Sequence, residues 1–251
     1  MNPLNNFALL FVLLSCFLTH TNTQNRIING GNISIERSPH SVAILHQNVL
    51  GCAGSLVSMN SVVTAAYCVL HIDATDIKIV AGVTDLRQIN REQRRNVHSI
   101  HNNDDEPETR YLSVAVVKVD IPFEETDRVK SILLCEAPLV AHSRMKISGW
   151  GSINADSEVP CNRLKSKSVQ VGNTQQCRTI FANRQPSVNL PDTIICAGRG
   201  ADLGAGDNGA GGVLNSRLCA VAQLSCTGRY EPDLYTNVTI ERVRNFITSM
   251  M

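Results

Sequence analysis

The residues that could do chemistry fall in three stretches. In Thr64-Ala65-Ala66-Tyr67-Cys68, Tyr67 stands directly before a cysteine. A phenol has a pKa of about 10 and keeps its proton at neutral pH, so it cannot serve as a base the way imidazole does. Ser113, which opens Ser113-Val114-Ala115-Val116-Val117, can hydrogen-bond but carries no charge to steady a cation. The glycine-rich run from Asp202 to Val213 has Asn208 and Ala210 near its centre, and no serine or threonine occurs between Cys196 and Val213. An amide nitrogen is not a competent nucleophile and a methyl group is none at all. Acyl transfer by an activated hydroxyl needs nucleophile, imidazole and carboxylate together, and no histidine lies in any of these stretches. His71, four residues after Tyr67, is a nearby imidazole; it is expected to face solvent, and it has no hydroxyl to activate.

Metal chemistry is not indicated either. Nine cysteines are scattered without a Cys-x-x-Cys spacing, and the seven histidines are dispersed, so neither a metal site nor a cofactor is expected. Cys16 lies in an apolar run, Phe7–Leu18, too short to span a bilayer but suited to a secretory leader. Residues 1–21 are therefore read as a signal peptide, 22–26 as a short spacer and 27–251 as one domain. The eight cysteines left after the leader suggest a disulfide framework in an exported, extracellular protein. A net charge of +1 gives no case for nucleic acid or for a membrane surface.

The elements that must position these residues are short. Apolar or alternating stretches at Ser41–His46, Gly54–Ser58, Ser61–Ala66, Ile77–Gly82, Leu112–Val119 and Met145–Trp150 read as strands. The second half repeats the style at Lys165–Val171, Thr193–Ala197, Arg217–Leu224 and Leu234–Val238. From about Thr239, Ile240, Val243, Ile247 and Met250 fall at helical spacing, so the chain is expected to end in a helix packed by one face. The fold class is all-β. Asp104–Arg110 and the basic Arg91–Arg95 cluster read as solvated loops, with an anionic partner such as a polyanionic glycan the alternative for the second. Asn32-Ile33-Ser34 and Asn237-Val238-Thr239 are glycosylation sequons. Asn32 is the better candidate, because Asn237 falls where a strand meets the helix.

Taken together, Cys52-Ala53-Gly54-Ser55-Leu56, Thr64–Cys68, Gly149-Trp150-Gly151 and Cys196-Ala197-Gly198 resemble the chymotrypsin-like serine proteases over nearly the whole chain after the leader. The resemblance implies two six-stranded antiparallel β-barrels joined near Leu133–Lys146 and a C-terminal α-helix. It puts Tyr67 at the family's histidine, Ser113 at its aspartate and Asn208 at its serine. A second register would put Ala210 at the serine; neither residue has a hydroxyl. Arg26-Ile27 resembles the activation junction, whose freed amine would pair with Asp207. Asp202 would form the base of a specificity pocket for Arg or Lys, with Val221, Ala222, Gln223 and Asp233 replacing residues that keep that pocket open. The resemblance implies disulfides Cys52–Cys68 and Cys177–Cys196, with Cys135, Cys161, Cys219 and Cys226 unassigned, because Gly204 occupies a family cysteine. The lost triad and filled pocket are similar to those of the scabies-mite inactivated serine protease paralogues, relatives of the mite group 3 allergens. That likeness implies a pseudoprotease that binds protein partners, host complement components among them, in immune evasion. The alternatives are a cofactor for a protease cascade of the producing organism and, last, an active endopeptidase with a displaced site.

Overall fold

Strand β2 (Ser41–His46) shows how an aliphatic alternation builds two cores at once. Successive side chains of a strand point to opposite faces, and Val42 and Ile44 pack with Ile77, Ile79 and Val117. Ala43 and Leu45 face the other way and pack with Val80, Trp150 and Leu164. The structure is a computed structural model that describes residues 30–88, 92–103, 112–152, 159–184, 187–198, 202–224 and 231–251. The leader, the spacer, Arg26, Ile27, Arg91, the loop at 104–110 and Cys226 lie outside the described residues.

β2, β3 (Val49–Ser58), β4 (Ser61–Ala65), β5 (Ile77–Ala81), β6 (Gln93–Asn102) and β7 (Val114–Val119) close a barrel in the order β2-β3-β4-β7-β6-β5. The second half is an eight-stranded sheet. Its order is β1 (Gly31–Asn32), β10 (Lys165–Gln170), β9 (Arg144–Gly149), β12 (Gly211–Leu214), β13 (Arg217–Leu224), β14 (Asp233–Asn237) and β11 (Ile194–Ala197), with β8 (Leu133–Leu134) pairing β13 off this path. Where a second six-stranded barrel was expected, this sheet curls until Val171, at the end of β10, meets Ala197 of β11 in a single bridge. Helix α1 (Thr174–Ala182) is capped by Asn173, whose side chain accepts from the Gln176 amide at 3.0 Å.

The C-terminal helix α2 (Glu241–Ser249) buries Val243 and Ile247, one turn apart, as the spacing predicts. They enter a cluster drawn from both halves, with Val57, Val63, Val114 and Val116 of the barrel and Leu218, Val221 and Val238 of the sheet. The solvated loop expected at Arg91–Arg95 is corrected in part, since residues 93–95 begin β6. Only Val97 of β6 is fully buried, so the strand has no inward aliphatic row to announce it. Helix α1 went unforeseen for a related reason: Cys177 and Phe181 are its only fully buried side chains.

Candidate functional site

Backbone hydrogen bonds bring Tyr67, Ser113 and Asn208 to one place. Tyr67 sits in a 3-10 turn, Ala66–Cys68, directly after β4. The Ala66 amide donates to the Ser113 carbonyl at 2.9 Å, tying that turn to the segment that leads into β7. The Asn208 carbonyl accepts from the Ala53 amide of β3 at 2.8 Å and lies 3.6 Å from the disulfide sulfur of Cys68. Gly209 makes this crossing possible. Its φ is +84°, and a Cβ there would lie 2.1 Å from both the Ala53 carbonyl and the Thr64 hydroxyl. Its own amide reaches across to the Ala222 carbonyl at 2.7 Å. The second register's candidate, Ala210, is fully buried. The resulting surface presents a phenol that is half exposed (50%), a half-buried serine and a half-buried asparagine. His71, in the left-handed region at φ 62°, is exposed beyond the turn.

Beside this lies Asp202, whose carboxylate is taken up within the chain. Lys167 of β10 places Nζ 2.5 Å from its Oδ1, with both side chains largely buried. Asp233, fully buried, accepts from the Asp202 and Leu203 amides at 2.6 and 2.9 Å, filling space against the backbone there. Val221, Ala222 and Gln223 are buried along β13, and the Gln223 amide has no hydrogen-bond partner among the described residues. Tyr235 is fully buried. Burial first, and then the carboxylates Asp233, Asp202 and Asp207, raise its phenol well above the ordinary value. Lys167 had no place in the sequence-level picture of the pocket. A lysine in a strand half-lined by core residues was its only signal, and that signal is shared by every outward-facing lysine.

Asp207 is, like Asp233, a fully buried carboxylate. The Gly151 and Gly204 amides donate to its two oxygens at 2.8 and 2.9 Å. Cβ atoms on Gly149 or Gly151 would fall 2.2–2.3 Å from that side chain, so both must be glycine. Burial pushes its pKa up to about 7 against the pull of these two amides.

The whole arrangement, from the disulfide beside Tyr67 to the glycine crossing at 209, matches the trypsin family model over residues 27–247. The chain belongs to the trypsin family. Serine protease SP24D of Anopheles gambiae is 31% identical to it, over 89% of this chain and 79% of that protein. Trypsin Tyr p 3.0101 of Tyrophagus putrescentiae is 27% identical over 88% and 80%. Among solved structures, the scabies mite inactivated protease paralogue S-D1 superposes with a TM-score of 0.79 at 24% identity, covering 88% of this chain and 97% of that one. Neuropsin from mouse brain gives 0.76 at 23%, covering 89% and 99%. These structural likenesses establish the trypsin-like fold.

Within this trypsin-family fold the described residues form three disulfides: Cys52–Cys68, Cys177–Cys196 and Cys135–Cys219. The third joins β13 to the residue following β8. Cys161, half-buried, has no disulfide partner among the described residues. Gly204 lies so close to Ser152 that a Cβ would fall 2.1 Å from the Ser152 carbonyl, which leaves no room for a cysteine. Trypsin-family proteins are typically secreted, and three disulfides fit an oxidising compartment. No helix among the described residues is long and apolar enough to cross a membrane, and no metal-binding group of His, Cys, Asp or Glu occurs among them. Asn32 is exposed on β1. Asn237 is committed, since its Oδ1 accepts from the Thr239 amide at 3.0 Å and hydroxyl at 2.8 Å.

Proposed function

We propose that this trypsin-family protein is secreted behind a cleaved leader and acts by binding other proteins, without hydrolysing them. The observation that carries this reading is the meeting of Tyr67, Ser113 and Asn208 at one surface, where the family's chemistry requires imidazole, carboxylate and hydroxyl. Removing a single member of such a triad costs ~10⁴–10⁶ in turnover; here all three are replaced. The neighbouring pocket supports the same reading. A substrate's lysine or arginine would have to displace Lys167 from Asp202 and enter space held by Asp233. Disulfides and cores are kept while chemistry is lost, which fits selection on the surface. The fold is shared with an inactivated mite paralogue; host proteins are the targets put forward, complement components among them, with immune evasion as the role.

The test uses the mature chain beginning at Ile27, a serine-directed fluorophosphonate probe and a set of peptide substrates. The expected result is neither labelling nor turnover from folded protein, followed by inhibition in a complement lysis assay. Labelling accompanied by turnover overturns the inactive reading. Silence in the lysis assay overturns the complement role and moves the reading to a cofactor within the producer's own protease cascade.

A further inference from the structure

A separate feature of the first barrel lies outside the degenerate site: a cleft of about 340 Å³ lined by Asn48, Lys78, Arg94, Arg95, Asp120 and Ile121, together with Asn96. Strand register creates it. β5 and β6 are antiparallel, with Lys78 opposite Asn96 and Val80 opposite Arg94, so Lys78, Arg94 and Asn96 project from the same outer face. Lys78, Arg94 and Arg95 line the cleft with Asp120, and a second carboxylate, Glu92, pairs with Arg94 at 3.2 Å.

The charges are not equally available. Arg95 is held in place, since it donates to the carbonyls of Ile121 and Pro122 and lies 5.1 Å from the centroid of the Phe123 ring. That fixes the 121–123 segment as a wall of the cleft. Asp120 accepts from the Asn96 amide at 3.1 Å, the Asn96 side chain at 2.7 Å and the Ile121 amide at 2.9 Å. The Asn96 side chain, first among these, holds its carboxyl below the usual range. Among the described residues Arg94 is engaged only through Nε, which donates to Glu92 at 3.2 Å, and its side chain remains 43% exposed. Its two terminal amino groups, and two of the three donors on Lys78, remain for a ligand. Ile121, on the cleft wall, is a large aliphatic side chain that is 61% exposed.

We propose that this cleft docks an acidic peptide segment of a partner protein, one that carries an aliphatic or aromatic side chain next to its carboxylates. The free donors of Arg94 and Lys78 take the carboxylates, and Ile121 takes the apolar side chain. A sulfated glycan would answer the charge but would leave Ile121 uncovered. The inference extends the view of the protein as a binding module, and it is independent of whether Tyr67, Ser113 and Asn208 retain any chemistry.

The experiment is fluorescence anisotropy of the full-length chain with a labelled peptide repeating Glu-Glu-Leu, its Gln-Gln-Leu counterpart, and a heparin decasaccharide as competitor. The expected result is binding of the acidic peptide alone, weakened by salt. Arg94→Gln and Lys78→Gln should each reduce affinity by about fivefold or more, and Ile121→Ser by a comparable factor. Thermal melts show that each variant is folded. Three results overturn the proposal: no binding of the acidic peptide, binding unmoved by both basic substitutions, or heparin bound through Arg94 with no loss in Ile121→Ser. The last would make the cleft a glycan site. None of these readouts depends on the labelling or lysis assays, so each reading can fail separately.

Discussion

A buried carboxylate whose only hydrogen-bond partners among the described residues are two neutral amides must register in the pH dependence of stability, and Asp207 is such a group. Its pKa rises from 3.8 to about 7 on folding, chiefly through burial. Between those values the native chain holds a proton that the unfolded chain has lost. Stability therefore falls as pH rises through this window, and the penalty is complete above it. His40 acts in the opposite sense. Burial first, and then Lys146, push it from 6.5 down to about 4, so its contribution grows as pH rises across that interval. The two are separated by substitution. Asp207→Asn in the uncleaved chain keeps an acceptor for one amide but sets an NH₂ against the other, a loss of about 1–3 kcal/mol near pH 4. At pH 8 that loss is offset by removal of the buried charge. Melting temperatures from pH 4 to 8 should show the variant gaining steadily on the parent protein. A constant difference across that range would contradict the assignment. At this same scale, the identities of Tyr67, Ser113 and Asn208 were plain in the sequence, and the reading of them rests on identity alone. The ion pair between Lys167 and Asp202 was not, because it depends on where β10 lies against the 202–203 backbone.

Elements were legible where burial and period coincide. β2, β4, β5 and α2 all appear within a residue or so of the aliphatic patterns that announce them. β6 and β12 did not follow that rule. The first has a single fully buried apolar residue, and the second begins Gly211-Gly212, where Cβ atoms would collide with Ser55 and Met145. Such glycines mark close approach, which composition alone reads as a loop. Gly209 is the sharpest case, with positive φ and two oxygens 2.1 Å from any Cβ. Gly209→Ala should cost more than 3 kcal/mol, on the order of the largest single-residue effects, and should yield little soluble protein. Recovery of a variant with parent-like melting would refute the steric account. The junction of β14 and α2 supports a second expectation. Asn237 spends its side-chain oxygen on Thr239, whereas Asn32 is exposed on a two-residue strand at the sheet's end. Protein made in a secretory host should carry one N-glycan. Mass spectrometry before and after enzymatic deglycosylation should place it at Asn32, and Asn32→Gln should abolish the mass shift. A glycan at Asn237 would mean that this junction opens before the chain is modified.

At the scale of the molecule, the two halves are joined by shared cores more than by charge. Ala53 of β3 packs into the sheet's own cluster, and the Asn208 carbonyl returns to the same strand. Helix α2 completes the joint. Val243 and Ile247 reach Val57, Val63, Val114 and Val116 across the boundary, and the Met250 carbonyl accepts from Ser61 of β4. A helix that belongs in sequence to the second half but packs partly on the first makes their folding a single event. Denaturant unfolding of the parent protein should then follow one transition by both tryptophan fluorescence and far-UV circular dichroism, since Trp150 also lies where the halves meet. Ile247→Ala leaves a cavity at a fully buried position. It should lower stability by about 2–5 kcal/mol and reduce the midpoint with the slope unchanged. Ile247→Asp puts an unpaired charge into the same cluster, and should separate the two probes or abolish folding. If Ile247→Asp instead melts in one step close to the parent protein, the helix is an appendage, and the halves are held by the β3 contacts alone.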